Sequence, residues 1–173
     1  MNKSILITGV AGSGKTTLSD KLNKLGYKSF DIENINGLFA MFNKRTGEAV
    51  KDWTNNDLES TKQHKWICDK NKLEKIIKDN SQGITFYCGI GSNLEELIPL
   101  FNQILLLKVS PDVLRERLSK RTHNSFGRTV EVQDWIFSWK DKWENDMKEK
   151  GAIIINADQD LEKIAADIID KVK

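Results

Sequence analysis

The sequence predicts an α/β fold in which helices cover both faces of a parallel sheet of five strands. Short apolar runs alternate along the whole chain with longer segments whose apolar residues recur at helical spacing, which is typical of parallel sheets joined by helices. A glycine-rich loop directly follows the first apolar run and leads into a helical segment. The chain of 173 residues is near the usual size of one domain and can bury a substantial core. We therefore expect a single domain over residues 1–173.

The strands and helices follow from the spacing of apolar residues. Five short apolar runs are the predicted strands: Ser4–Thr8, Lys28–Asp31, Ile84–Cys88, Gln103–Val109 and Ala152–Asn156. After the first strand, a helix is predicted by leucines at i, i+4 and i+7 before a glycine: Leu18, Leu22, Leu25 and Gly26. Ser110 and Pro111 should begin the helix after the fourth strand, because serine caps helices and proline suits their first turn. Apolar residues from 161 to 172 share one face, which predicts a last helix packed on the sheet.

Two polar segments interrupt this alternation. Residues 43–57 contain a glycine and precede a predicted long helix that carries Trp66, Leu73, Ile76 and Ile77. Residues 120–133 lie between two predicted helices. Ligands of open α/β sheets bind beyond the carboxyl ends of the strands, where such loops gather. We expect both segments to close over substrates.

The glycine-rich loop, GVAGSGKT, fits the phosphate-binding pattern G-x-x-x-x-G-K-[ST]. In this pattern, backbone N–H groups surround phosphate oxygens at the start of a helix. Lys15, expected to be exposed before a ligand binds, should reach the β- and γ-phosphates of a nucleotide, and the Thr16 hydroxyl should bind Mg²⁺. The expected nucleotide-binding residues of this region are Gly9, Ala11, Gly12, Ser13, Gly14, Lys15, Thr16 and Thr17.

Composition argues against several other partners. The net charge of +2, from 27 basic and 25 acidic residues, gives no overall positive field that would favour nucleic acid. No run of 18 apolar residues occurs, and the apolar run near the start is too short for a signal peptide, so we expect a cytoplasmic protein without a membrane partner. Cys68 and Cys88 should be reduced, buried thiols. His64 and His123 have no partner at metal-ligand spacing.

Three stretches of the chain resemble the small P-loop kinases, the group that contains shikimate, gluconate and nucleoside monophosphate kinases. SPDVLRERLSKR, residues 110–121, is similar to the helix before the mobile lid of these kinases, and FDIEN, residues 30–34, resembles the D-x-D of shikimate kinases. CGIGSN, residues 88–93, is similar to their glycine-rich acceptor turn but has one glycine fewer, and the adenylate-kinase arginine is absent. The chain also has neither the N-K-x-D motif of GTPases nor the strand ending in D-E of large motor and AAA+ proteins.

The resemblance implies a fold and an activity. The fold is the three-layer sandwich of P-loop NTPases with a small lid at about residues 120–133 and an acceptor-side segment at about 43–57. The activity is that of an ATP-dependent kinase, which transfers the γ-phosphoryl group of Mg-ATP to a metabolite hydroxyl or a nucleoside monophosphate. The alternative is an NTP-binding regulatory switch or slow ATPase that acts through a protein partner. The acceptor and the oligomeric state, monomer or homodimer, stay open.

Acidic residues after the second strand are the candidates for chemistry at the acceptor. Asp31 should either hold a metal-bound water or accept the proton of an acceptor hydroxyl, unless it is a helix N-cap. With Thr16 it forms the expected metal site. The residues expected to contact the acceptor are Asp31, Glu33, Arg45, Gly89 and Gly91.

Basic residues around the lid are the candidates for binding phosphate oxygens. Arg117 and Arg121 lie four apart on one predicted helical face, and both should bind the nucleotide. Arg121 and Arg128 are expected to act with Lys15 and Asp31 in catalysis. Arg115 and Lys120, by contrast, are expected on a solvated helix surface.

The tryptophans allow two interpretations. Trp135, Trp139 and Trp143 recur four apart, a spacing that favours a core stripe over a stacking surface for a ligand. Trp53, in the polar segment near Arg45, is the better candidate for stacking on a ligand.

Overall fold

The structure is a computed structural model that describes residues 2–122 and 124–173. In chain order the strands are β1 (Lys3–Thr8), β2 (Lys28–Asp31), β3 (Phe39–Asn43), β4 (His64–Cys68), β5 (Ile84–Cys88), β6 (Gln103–Lys108) and β7 (Ile153–Asn156). The helices are α1 (Lys15–Lys24), α2 (Leu58–Gln63), α3 (Lys70–Asp79), α4 (Leu94–Leu97), α5 (Pro111–Ser119), α6 (Val130–Glu149) and α7 (Leu161–Val172). Two short 3₁₀ turns, Ile32–Asn34 and Ile98–Leu100, follow β2 and α4.

The main sheet confirms the predicted α/β fold. Its five strands are parallel and lie in the order β2-β5-β1-β6-β7. All five predicted strands are present, and β2 and β5 have the predicted bounds. The central residues Ile5, Leu6 and Ile7 of β1 are fully buried, as expected for a parallel strand covered on both faces. The chain runs from β1 to β2 on one side of β1 and later crosses from β5 to β6 on its other side, so a ligand crevice is expected at the carboxyl end of β1, where the glycine-rich loop begins.

Two hydrophobic clusters give the molecule three layers. One cluster joins the sheet to α1, α5 and α7, and the other joins it to α3 and α4. Helix α6 contributes Val132 and Ile136 to the first cluster and Met147 to the second. It therefore spans both layers. No helix of residues 2–122 and 124–173 is long and apolar enough to cross a membrane.

The region before α3 differs from the sequence prediction of one long helix. Trp66 lies in β4, which pairs with β3 in a separate antiparallel hairpin, while the three aliphatic residues of the predicted helix lie in α3. Asp57 and Asp69 each cap a helix of their own, by accepting hydrogen bonds from the N–H groups of Ser60 at 2.7 Å and Lys72 at 3.1 Å. The prediction was wrong because pairing with β3, a distant partner, decides the conformation of β4.

Helix ends show smaller differences. α1 ends at Lys24, and Leu25 is 48% exposed, so the third leucine of the pattern lies outside the core. Ser110 is the N-cap of α5 as predicted, but its hydroxyl makes no capping bond and its N–H donates to the Asp158 carboxylate at 2.9 Å. Thr129 caps α6 by accepting a hydrogen bond from Val132 N–H. Residues 130–133 are consequently helical, and the described non-helical residues of the predicted segment are 120–122 and 124–129.

Candidate active site

A cleft of about 1100 Å³ contains the glycine-rich loop. Two groups of residues line most of it. We call the first group the loop end; it consists of residues 11–18 together with Arg117, Lys120 and Arg121 from the end of α5 and the following residues. We call the second group the aromatic end; it comes from the β3–β4 hairpin and its connection, from α2 and from α6. Asp31, Glu33 and the turn at residues 90–92 also line the cleft.

The glycine-rich loop needs glycine for two physical reasons. Gly12 and Gly14 have φ angles of +84° and +96°, a left-handed conformation that residues with a side chain rarely adopt. At Gly9 a Cβ would lie 2.6 Å from Ser13 Oγ and 2.9 Å from the Leu107 carbonyl oxygen. The predicted loop geometry thus depends on close backbone packing as well as on the turn.

Lys15 is buried inside the loop, and the expectation that it faces solvent is wrong. It is 8% exposed, and its Nζ donates to the carbonyl oxygens of Gly9 at 2.8 Å and Val10 at 3.3 Å. Burial lowers the pKa of Lys15, which the negative charge of Glu33, 3.8 Å away, opposes. The loop folds back around the ammonium group because its own carbonyl oxygens satisfy the donors.

The loop carries polar groups that fit a phosphorylated ligand. Within the described residues, the buried hydroxyls of Thr8 and Ser13 have no hydrogen-bond partner. Thr16 and Thr17 are exposed and line the cleft. Donors at a helix N-terminus are the usual partners of phosphate oxygens, so these residues fit a nucleotide.

The oxygen ligands in the cleft show whether a Mg²⁺ ion would fit there. No cluster of three or more His, Cys, Asp or Glu residues suited to a metal occurs in the described part of the chain. Thr16 and Asp31 nevertheless line the same cleft. Mg²⁺ is commonly held by one or two protein oxygens together with substrate phosphates and water, and this pair fits that requirement.

Two carboxylates follow β2, and they make different contacts. Asp31 takes the N-cap position of the turn at 32–34, but its side chain caps no backbone N–H and accepts a hydrogen bond from Asn34 Nδ2 at 2.8 Å. Glu33 accepts from the N–H of Ile90 at 3.0 Å and faces Lys15. Glu33 thereby connects the loop lysine to the turn after β5.

The arginines of the lid region differ in their orientation. Arg117 donates to the Ala157 carbonyl at 2.9 Å and Arg121 to the Phe126 carbonyl at 3.0 Å. Burial lowers the pKa of Arg121, and the charge of Glu33 opposes this shift. Arg128 is exposed, donates to the Arg121 carbonyl and is not among the residues that line the cleft.

The other two basic residues near the lid form ion pairs. Arg115 pairs with Asp134 at 2.6 Å, and Lys120 pairs with Glu116 at 2.6 Å. Arg115 does not line the cleft, whereas Lys120 does. Their side chains are thus held by neighbouring carboxylates on the helix surfaces, as expected.

Only some of the residues predicted to contact the acceptor line the cleft. Gly91 lines it, but Gly89 does not; a Cβ at Gly89 would lie 2.5 Å from Ile32 Cγ1, so this glycine permits close packing against the end of β2. Arg45 is exposed in the connection between β3 and β4 and does not line the cleft either. Sequence reasoning missed other lining residues: Met41, Ser60, Thr61, His64 and Ser92.

All five tryptophans of the chain line the cleft. The ring centroids of Trp53 and Trp66 are 6.0 Å apart. On α6, Trp139 lies 5.6 Å from Trp135 and 6.2 Å from Trp143. The three α6 tryptophans pack against the core, as predicted, but the same rings also form a wall of the cleft. Their spacing alone could not show this second role.

The remaining titratable residues of interest lie apart from this chemistry. Cys68 and Cys88 are buried as predicted, and burial raises the pKa of each thiol to about 12. His64 Nδ1 lies 3.3 Å from Ser60 Oγ. His123 lies outside the described residues.

With this geometry in place, comparison with known proteins assigns a family. A family model described as an AAA domain matches residues 5–135, which is more than half of the chain. The chain belongs to this family. AAA-domain membership holds although no apolar strand ends in D-E; β5, for example, ends in Tyr87-Cys88. None of the curated proteins matches the chain.

Solved structures of small P-loop kinases share the fold. Shikimate kinase from Bacteroides thetaiotaomicron is 18% identical, with 99% of each chain covered and a TM-score of 0.63. Deoxyadenosine kinase from M. mycoides with bound dATP is 16% identical, with 98% of each chain covered and a TM-score of 0.57. A gluconokinase from Sinorhizobium meliloti is 15% identical over 95% of this chain and 87% of that chain, with a TM-score of 0.50. The predicted P-loop NTPase fold is confirmed.

Proposed function

We propose that the protein is an ATP-dependent small-molecule kinase, which transfers the γ-phosphoryl group of Mg-ATP to a hydroxyl group of a small acceptor. One observation carries the proposal: a single cleft of about 1100 Å³ is lined by a phosphate loop, two carboxylates and an aromatic wall. Phosphoryl transfer depends on alignment and on charge compensation, and this arrangement offers both. Residues 1–173 form one kinase-like domain in this proposal, and the buried, protonated cysteines fit a cytoplasmic enzyme.

The loop end binds the nucleotide. Backbone N–H groups from Gly12 to Thr16 surround phosphate oxygens, and Lys15 exchanges its bonds to loop carbonyls for bonds to the β- and γ-phosphates. The Thr16 hydroxyl would hold Mg²⁺, and Asp31 would hold the ion only through a metal-bound water; the ion would neutralise charge on those phosphates. Arg117 is placed to contact the nucleotide from α5.

Asp31 serves the acceptor. Its carboxylate accepts the proton of the acceptor hydroxyl as that oxygen bonds to the γ-phosphorus, while the bond from phosphorus to the β–γ bridging oxygen breaks and ADP leaves. Glu33 has less freedom for this role because it already binds Ile90 N–H and faces Lys15. We assign Glu33 to positioning the acceptor turn and Lys15.

The predicted lid segment, about residues 120–133, closes over the cleft from its described non-helical residues 120–122 and 124–129. Asn55 Nδ2 donates to Asn124 Oδ1 at 3.2 Å, so the segment after β3 and the lid already touch each other. Arg121 faces the cleft, and Arg128 reaches it when the lid moves. Closure then places both guanidinium groups near the transferring oxygens and excludes water.

Measurement of ATP consumption with and without a panel of small acceptors tests the proposal. The kinase predicts that at least one acceptor raises turnover, and that a phosphorylated acceptor forms in equal amount to ADP. A regulatory ATPase predicts acceptor-independent hydrolysis that a protein partner changes, and this result would contradict the proposal. Lys142→Ala should keep the turnover of the parent protein and so provides the control for any substitution in the cleft, because Lys142 pairs with Asp146 at 2.7 Å and lies outside the cleft lining.

A further inference from the structure

Positive charge in the cleft is confined to the loop end. The lysines and arginines that line the cleft are Lys15, Arg117, Lys120 and Arg121. Among the described lining residues from the end of β2, the hairpin, α2, the β5 turn and α6, none is lysine or arginine. An anionic group on an acceptor bound at the aromatic end would therefore have no cation of its own.

The buried charges of α6 are already paired with each other. Lys140 and Glu144 of α6 are 2% and 3% exposed, and Lys140 Nζ lies 2.8 Å from Glu144 Oε1. Neither residue lines the cleft. This ion pair consequently supplies no free positive charge to an acceptor.

The two carboxylates of the cleft face the loop cations. Lys15 and Arg121 both sense the charge of Glu33, and Lys15 also senses that of Asp31. Two anionic and two cationic groups therefore balance each other at the junction between the ends. A phosphate or carboxylate on the acceptor would therefore find no unpaired cation there, and a cation would find no unbalanced negative charge.

The remaining lining groups of the aromatic end suit a flat, uncharged molecule. Trp53 and Trp66 come from the hairpin region, and the three tryptophans of α6 come from a helix that packs against α2. Stacking on an aromatic ring is worth about 1–3 kcal/mol per nucleic-acid base. Uncharged hydrogen-bonding groups lie on the same walls, namely Asn55, Ser60, Thr61 and Ser92, and His64 lies among them.

We propose that the acceptor is an uncharged molecule with a flat aromatic ring and a hydroxyl group, of the nucleoside type, and neither a phosphate monoester nor a carboxylic acid. This inference rests on the proposed kinase function. It narrows the acceptor classes that the sequence left open by excluding nucleoside monophosphates. The aromatic end stacks the ring, and Asp31 receives the hydroxyl at the junction with the loop end.

Binding measurements with matched compounds test the inference without turnover. The protein, held with a non-hydrolysable ATP analogue and Mg²⁺, is titrated with ribo- and deoxyribonucleosides and with their 5′-monophosphates. Gluconate, shikimate, ribitol and choline represent carboxylic acids, uncharged polyols and cations. Quenching of tryptophan fluorescence reports binding, because all five tryptophans line the cleft, and thermal shift confirms it.

We expect at least one nucleoside to bind in this assay and, in a separate assay with ATP and Mg²⁺, to be phosphorylated, with its monophosphate bound about 30-fold or more weakly. An unpaired charge in a buried site commonly costs 2–5 kcal/mol, which corresponds to about this factor or more. Trp53→Ala should weaken nucleoside binding by about 5- to 150-fold, the equivalent of one lost stacking contact. Trp53 is 37% exposed, so its replacement leaves the core intact, and Leu25→Ala, at another exposed apolar residue, is the matched control.

Each outcome decides the matter. Preferred binding and phosphorylation of a monophosphate, a carboxylic acid, ribitol or choline would overturn the inference while leaving the kinase proposal standing. Unchanged nucleoside affinity in Trp53→Ala would overturn the stacking role of this residue and with it the placement of the ring. If no compound of any class is phosphorylated although the ATP analogue binds, the kinase function and this inference both fail.

Discussion

The two ends of the cleft are built in opposite ways. The loop end comes mainly from one contiguous stretch, residues 11–18, whose shape follows from glycines and from a helix N-terminus. The aromatic end joins side chains from β3, β4, α2 and α6, which are up to about a hundred residues apart in the chain. The loop end offers backbone groups and cations, whereas the aromatic end offers rings and polar groups. In the proposed function, this contrast separates a general nucleotide site from the part that selects an acceptor.

The junction of the two ends should give the largest effect. Asp31→Asn keeps the shape and can still accept a hydrogen bond from Asn34, but it removes the negative charge. Turnover should fall by about 10²–10⁴-fold, the usual range for loss of a positioned base, with nearly unchanged nucleotide binding. Single-turnover assays, nucleotide titrations and thermal melts measure these quantities.

Asn34→Ala is the comparison variant, since Asn34 also lines the cleft and its replacement removes the hydrogen bond to Asp31 but leaves the charge of Asp31 in place. An Asp31→Asn protein that is active and equally stable would leave Asp31 with a structural role. It would also place the chemistry wholly at the loop end.

Substitutions in the buried ion pair of α6 test how much that pair contributes to the stability of the helix that carries three of the cleft tryptophans. The contact between Lys140 and Glu144 is an ion pair whose angles are not those of a hydrogen bond. Lys140→Met should lower the free energy of unfolding by about 3–5 kcal/mol, because it leaves a buried carboxylate whose next cation, Lys108, is 4.0 Å away and exposed. Urea denaturation measures the change.

The double variant Lys140→Met, Glu144→Leu separates charge from packing. It should recover most of the lost stability, because well-packed apolar residues often replace a buried ion pair without cost. Equal destabilisation in the single and double variants would show that packing, and not the unpaired charge, supports α6.

Lys15→Ala tests the loop end alone. Turnover should fall by about 10²–10³-fold, as on loss of one electrostatic donor to the transition state. Burial lowers the pKa of Lys15, so its charged form is disfavoured in the folded loop, and we expect Lys15→Ala to remain folded, which thermal melts check.

Lys21→Ala, on the same helix but paired with Glu162 at 2.9 Å, is the matched control. Turnover of Lys15→Ala equal to that of this control would remove the phosphate loop from the mechanism. Acceptor binding measured by tryptophan fluorescence should be the same in both variants if the two ends act separately.

Arg128→Ala should give the smallest effect. The side chain is exposed and donates to a carbonyl of its own loop, so its contribution depends on lid closure. We expect kcat to fall by about tenfold, equivalent to about 1.4 kcal/mol, with little change in KM for ATP. Steady-state kinetics measures both constants, and an unchanged kcat would assign Arg128 to the solvated surface.

Sequence reasoning was strongest where neighbours along the chain decide the structure. The β1-loop-α1 unit has the order and the glycine geometry that the pattern predicted, and each main-sheet strand was found from its apolar run. Sequence reasoning was weaker where a partner far away in the sequence decides the conformation of a segment. The hairpin of β3 and β4 and the contact of Glu33 with Ile90 both depend on segments that lie far apart in sequence.

The roles of charged side chains showed the same limit. Lys15 was expected in solvent, but the loop carbonyls that enclose it belong to residues five and six positions away, and only the folded loop turns them inward. Arg45 was predicted to contact the acceptor, yet it does not line the cleft. Trp66, which was predicted only as part of a helix, does line it.

By itself, the sequence determined the α/β class, the five parallel strands and the phosphate loop, because periodic apolar residues and glycine-dependent turns are local properties of a chain. Tertiary structure alone decided which walls face each other across the cleft. Trp53 and Trp66 line the same cleft as the tryptophans of α6 because α2 packs on that helix and β4 pairs with β3. The charge of the acceptor compartment is likewise a property of the assembled walls, since it depends on which lysines and arginines the fold turns away from the cleft.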